Sequence, residues 1–148
     1  MSGRLRRLAA LSGKQRRVLI EAMLTHARVS AAHRVRPVVK LAEAAPKDAP
    51  AGRYGDVDIA WITRAVAASS RYAPWRSVCL HRALTLHRML RRRGVPSVLH
   101  YGISPVSGTF GAHMWVTLGD DILIGGETRA SHVCVAHFPG ETGSPCPT

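Results

Sequence analysis

The order of periodicities along the chain predicts an α+β fold. Helical apolar spacing fills the first half, a cysteine-bearing helix follows, and the remainder alternates with the period of antiparallel strands. Runs of helices followed by runs of strands indicate segregated elements rather than an alternating α/β sheet. At 148 residues, with 46% hydrophobic and 20% charged residues, the chain is long enough for one modest core and is not globally disordered.

From Lys14 to Leu41, Val18, Leu19, Ala22, Met23, Ala27, Val29, Ala32 and Val35 recur mostly at steps of three and four, which predicts an amphipathic helix. Ser12 is its expected N-cap, and Pro37 should end or kink it, leaving Val38 to Ala45 as a short continuation. Ala44 to Gly55 (AAPKDAPAGRYG) reads as a linker. Asp58 then caps a helix from Ile59 to Ser70 with Ile59, Ile62, Val66 and Ala67 in its apolar stripe.

Ser77 is the expected cap of a helix from Val78 to Arg93, with Cys79, Leu80, Ala83, Leu84, Leu86, His87 and Leu90 inward and Arg82, Arg88, Arg91 and Arg92 mostly outward. Gly94 accepts the left-handed conformation of a helix end, and Pro96 blocks resumption. Ser97 to Ile103 reads as a strand, followed by the turn-forming SPVSGTFG. In His113 to Leu118, His113, Trp115 and Thr117 share one face, while Met114, Val116 and Leu118 share the other. Gly119-Asp120-Asp121 turns the chain into Ile122-Leu123-Ile124, and VCVAHF around Cys134 reads as a further strand. The expected organisation is an N-terminal helical region over 1–45, a linker over 46–57, a core over 58–140 and a flexible tail over 141–148.

The formal charge is +12, and 18 of the 21 cations are Arg. Clustered cations invite a nucleic-acid reading. The arginines are scattered, however, and with 5% aromatic residues the chain lacks a base-stacking platform. A docking surface for an acidic protein or peptide fits better, so the alternative to an enzyme is a non-catalytic basic adaptor. Three cysteines, an odd number without CxxC spacing, argue against a disulfide framework and fit a reducing cytoplasm. The basic opening lacks a signal-peptide apolar run, and no stretch is long and apolar enough for stable membrane insertion.

Chemistry concentrates on Cys79. In the first turn of a helix, unpaired N–H groups and the helix dipole favour a thiolate, although a lone helical cysteine is more often structural. His113 opens a strand 34 residues later, after a Gly-rich loop, and supplies a base. A third group should orient the imidazole. With a Gly119-Asp120-Asp121 loop, paired residues number 240 together and His113 faces Glu127; a shift of one gives Gly126 or Thr128. Asp120 and Asp121 read as solvated turn formers. The His and Cys spacings match no metal motif, so no metal or cofactor is expected, and Cys134 and Cys146 read as inert. His81 and His87 lie on the cysteine helix, and packing is the economical role for His87.

The stretch APWRSVCLHRALTLHRMLRRRGVPSVLHYGI, followed by GAHMWVTLGDDILIGGE, resembles the transglutaminase-like leader peptidases of bacterial lasso-peptide biosynthesis. The matching features are Cys79 at a helix start, Arg91 to Pro96, Gly102, and Ala112 to Val116, within roughly residues 70–138. The resemblance implies a papain/transglutaminase-like fold and a cysteine peptidase that removes the leader from a ribosomally made precursor peptide. It implies Cys79 as nucleophile, His113 as general base and acid, and an acidic third member, best matched by Glu127 with Asp121 as competitor. It also implies a separate small leader-recognition protein and a lasso cyclase resembling asparagine synthetase as partners. The backbone N–H of Cys79 is the candidate oxyanion donor.

Overall fold

Ser12 starts the first helix as its capping side chain implies: its hydroxyl accepts from the Gln15 N–H while the Gln15 side chain accepts from the Ser12 N–H. The computed structural model describes residues 9–46, 55–74, 78–104, 111–139 and 146. Helix α1 is Gly13–His33, α2 Val38–Glu43, α3 Ile59–Tyr72 and α4 Cys79–Arg91. Strands β1 Val98–Ser104, β2 Gly111–Leu118, β3 Asp121–Ile124 and β4 Val133–Phe138 follow, with a short 3-10 turn at Arg129–Ser131. The expected α+β order is the observed one. Residues 47–54 of the expected linker, Ser77 and the loop at 105–110 lie outside the described residues.

The strands form one antiparallel sheet in the order β3-β2-β1-β4. One face carries Leu99, Met114, Val116 and Phe138 into the core, where they join Leu80, Ala83, Leu84, Leu86, Met89 and Leu90 of α4. On its other side α4 meets α1 and α3, which contribute Ala22, Val29, Ile62, Ala65 and Val66. The central helix is therefore covered nearly all round: even His81, Thr85 and Arg91 are buried. Asp58 caps α3 by accepting from the Trp61 N–H.

Several expectations change. Met23 and Val35 are exposed; the buried face of α1 instead runs through Ala22, Thr25, His26, Val29 and Ser30. The packing places two hydroxyls and an imidazole where apolar periodicity alone would not. Helix α4 begins at Cys79 with Val78 as N-cap and ends at Arg91, two residues before the expected end. Gly94 has the left-handed φ (75°) that its position calls for.

Arg88 and Arg91 do not form an outward basic face. Arg91 is 5% exposed and donates to the Pro46 carbonyl at 2.8 Å, and Arg88 donates to the Leu41 carbonyl at 2.9 Å, so both fasten the segment around α2 to α4. Arg93 pairs with Glu21, tying α1 to the end of α4. The basic-adaptor reading thereby loses these arginines as free surface.

Cys134 and Cys146 form a disulfide, contrary to the expectation from cysteine count. Spacing rules look for CxxC or for a disulfide-dense scaffold, and neither detects a residue near the chain end brought back onto β4. No described helix is long and apolar enough to cross a membrane.

Candidate active site

Cys79 is the first residue of α4 and the free cysteine of the chain, partly exposed. The N–H groups of His81 and Arg82 donate to the Val78 carbonyl. Those of Cys79 and Leu80 belong to the first turn, where a helix offers no internal acceptor. Two residues after Cys79, His81 is buried, and its Nδ1 accepts from the Val78 N–H at 3.4 Å. The ring lies against His33 (5.3 Å between centroids) and His26 (6.2 Å). Burial pushes His81 down from its ordinary range, and pushes His26 down to about 4 with help from His81 and Arg82. The start of the cysteine helix thus brings together two imidazoles, His26 and His81, whose burial favours the neutral form. Sequence reasoning missed this cluster because His26, His33 and His81 meet only through packing of α1 on α4.

His113 is buried on β2, the strand against which α4 packs. Strand alternation puts Met114 and Val116 in the core; His113 and Trp115 lie on the opposite face, where Gly102 and His100 are their partners on β1. The Trp115 indole stacks between the two imidazoles, 6.1 Å from His113 and 5.2 Å from His100. A Cβ on Gly102 would come within 2.7 Å of that indole and 3.1 Å of His132, which explains why glycine stands beside His113 on β1. His132 approaches His113 at 5.1 Å.

The Nε2–H of His113 donates to the Gly125 carbonyl at 2.7 Å. A carbonyl can only accept, so the neutral ring carries its proton on Nε2 and leaves Nδ1 as a lone pair. The hydrogen-bond partner of Nε2 is therefore main chain. Glu127 lies two residues farther on, exposed in a turn, and makes no hydrogen bond to His113 among the described residues. Asp121 is exposed at the start of β3. Among the described residues no hydrogen bond links Cys79 with His113 either; the helix that Cys79 opens and the strand that carries His113 pack on one another.

The register explains Gly125. The turn is two residues, Gly119-Asp120, so Leu118 pairs with Asp121 and Thr117 with Ile122; a bulge then shifts Val116 onto Ile124. The shorter turn and the bulge offset one another and restore the expected register just where β3 ends. Gly125 leaves the sheet with φ 82°, and a Cβ there would lie 2.6 Å from the Met114 carbonyl.

The chain thus places a free thiol at the start of a helix packed on a strand that carries a tautomer-fixed histidine, and the transglutaminase-like superfamily description matches residues 18–135. The chain belongs to that superfamily. Its members are typically cysteine-peptidase-like, and the match begins within α1, so the N-terminal helix is part of the transglutaminase-like region. No curated protein and no solved structure matches the chain.

Proposed function

We propose that this protein is a cysteine peptidase that cleaves the leader from a lasso-peptide precursor, with Cys79 as nucleophile and His113 as general base and acid. The observation that carries the reading is the His113 Nε2 to Gly125 carbonyl bond, in a transglutaminase-like chain whose free thiol opens α4. With Nε2 occupied as donor, Nδ1 is the nitrogen available to take the thiol proton. The resemblance around Cys79, Arg91 to Pro96 and Ala112 to Val116 supplies the substrate class.

The Cys79 sulfur attacks the scissile carbonyl and the developing oxyanion is met by the Cys79 N–H in the first turn of α4. His113 returns the proton to the departing amine, releasing one peptide half and leaving a thioester on Cys79. Water, activated by the same imidazole, hydrolyses the thioester. The orienting role falls to the Gly125 carbonyl, with Glu127 the side chain that the resemblance nominates.

A separate recognition protein holds the leader, and the freed core peptide passes to an ATP-dependent cyclase resembling asparagine synthetase. The test mixes the protein with its recognition partner and precursor and follows intact masses. One cleavage is expected, lost in Cys79→Ala; undiminished cleavage by that variant sinks the assignment.

A further inference from the structure

The sheet face that carries His113 holds a second group of chemistry-bearing side chains. On β4, Cys134 is the partner of Gly102 and His137 the partner of His100, so Cys134, Gly102 and His113 stand in one row across three strands and His137, His100 and Trp115 in the next. Cys146 is bonded to Cys134. One ligand atom from each of His100, Cys134 and Cys146 can be chosen so that all three lie within 4.8 Å of one another.

We propose that His100, Cys134 and Cys146 form a redox-dependent site for a soft divalent metal ion, Zn²⁺ by preference. The oxidised chain carries the disulfide, and the reduced chain holds the ion through two thiolates and one imidazole. Two thiolates and an imidazole suit zinc and disfavour magnesium and calcium, which take oxygen ligands.

The geometry supports both states. A tetrahedral zinc with bonds of about 2.3 Å to sulfur and about 2.0 Å to nitrogen spans a sulfur–nitrogen separation of roughly 3.5 Å. Cys134 Sγ lies 3.8 Å from His100 Nδ1. The His100 ring is held in place by flat stacking on Trp115, 3° between planes, and by Thr117 Oγ1 at 2.9 Å from Nε2. Support of this kind is what fixes a metal-binding imidazole. A threonine hydroxyl both donates and accepts. With the disulfide present, Nδ1–H can point at Cys134 and Nε2 accept from Thr117; with metal bound, Nε2–H donates to Thr117 and Nδ1 offers its lone pair.

Three protein ligands leave a fourth position. It falls to water or to His137, whose buried Nδ1 has no hydrogen-bond partner among the described residues. Conversion between states balances simply: a dithiol or phosphine reductant delivers two electrons, two protons complete the thiols, and Zn²⁺ then displaces both thiol protons as two Zn–S bonds and one Zn–N bond form. Either state fixes Cys146 to the edge strand β4.

The test uses the full-length Cys79→Ala chain, which removes the third thiol. It is reduced with a phosphine, stripped with a chelator, confirmed folded by circular dichroism and titrated with Co²⁺, then with Zn²⁺. One Co²⁺ per chain is expected, with a thiolate-to-cobalt charge-transfer band that Zn²⁺ bleaches and that the oxidised chain does not develop. Cys146→Ser lies beyond the last strand and Cys134→Ser within β4; each should weaken binding by more than about tenfold, and His100→Gln by a similar factor. A folded, reduced chain that develops no charge-transfer band overturns the proposal, as does binding that Cys146→Ser leaves unchanged.

Discussion

His113 Nε2 and the Gly125 carbonyl oxygen are 2.7 Å apart, and this one bond decides which nitrogen of the candidate base is free. Gly125 can present its carbonyl there because its φ of 82° suits glycine and because the Met114 carbonyl approaches too closely for a Cβ. Gly125→Ala is therefore expected to cost about 1–2 kcal/mol in backbone strain alone. Displacement of the carbonyl should slow precursor cleavage roughly tenfold or more, since each 1.4 kcal/mol or so in the barrier is a factor of ten. Single-turnover cleavage together with a urea unfolding curve measures both effects.

Glu127 is exposed and two residues beyond that carbonyl. Glu127→Gln should keep cleavage within about threefold of the parent, because a positioned acid–base partner typically contributes about a hundredfold or more. A loss of that size would transfer the orienting role from Gly125 to Glu127.

With the Cys134–Cys146 disulfide intact, Cys79 is the thiol open to alkylation. If His113 takes its proton, the rate of iodoacetamide labelling near neutral pH should drop roughly tenfold in His113→Ala, because the thiolate is the reactive form. Intact-mass kinetics reads the rate, and equal labelling of the two chains would uncouple the pair.

His26 is fully buried between α1, α3 and α4, bonded through Nδ1 to Ser69 and facing His81 and Arg82, with its pKa lowered from 6.5 to about 4. The unfolded chain takes up a proton near 6.5 and the folded chain resists until about 4. The stabilising effect of the neutral ring is thus complete above 6.5 and is lost as the pH falls toward 4. Unfolding free energies from urea curves should fall across this window by on the order of 1 kcal/mol per pH unit for this group. The double variant His26→Leu with Ser69→Ala should show a slope shallower by about one proton.

Arg91 and Arg92 are neighbours with opposite roles. Arg91→Ala removes the donor to the Pro46 carbonyl from a 5% exposed site and should cost about 1–3 kcal/mol of stability. Arg92 is exposed, and Arg92→Ala should stay within about 0.5 kcal/mol of the parent. Thermal unfolding of the two variants separates the roles; an unchanged Arg91→Ala would return that arginine to the surface-docking reading.

By itself the amino-acid sequence determined the element order, the Ser12 and Asp58 caps, the Gly94 helix end and the alternation that groups His113 with Trp115. These depend on interactions a few residues apart or on fixed periods, which a linear pattern records. It also marked Cys79 as the cysteine at a helix start. Tertiary structure alone decided which carbonyl meets His113, because the turn length and the bulge at Leu123 act together and no local motif encodes their sum. It decided as well that Arg88 and Arg91 satisfy carbonyls of the segment around α2, that three histidines meet beneath the cysteine helix, and that Cys146 returns to Cys134 beside His100. Each of these joins residues from different elements, and a long polar side chain becomes internal only when packing brings it a partner.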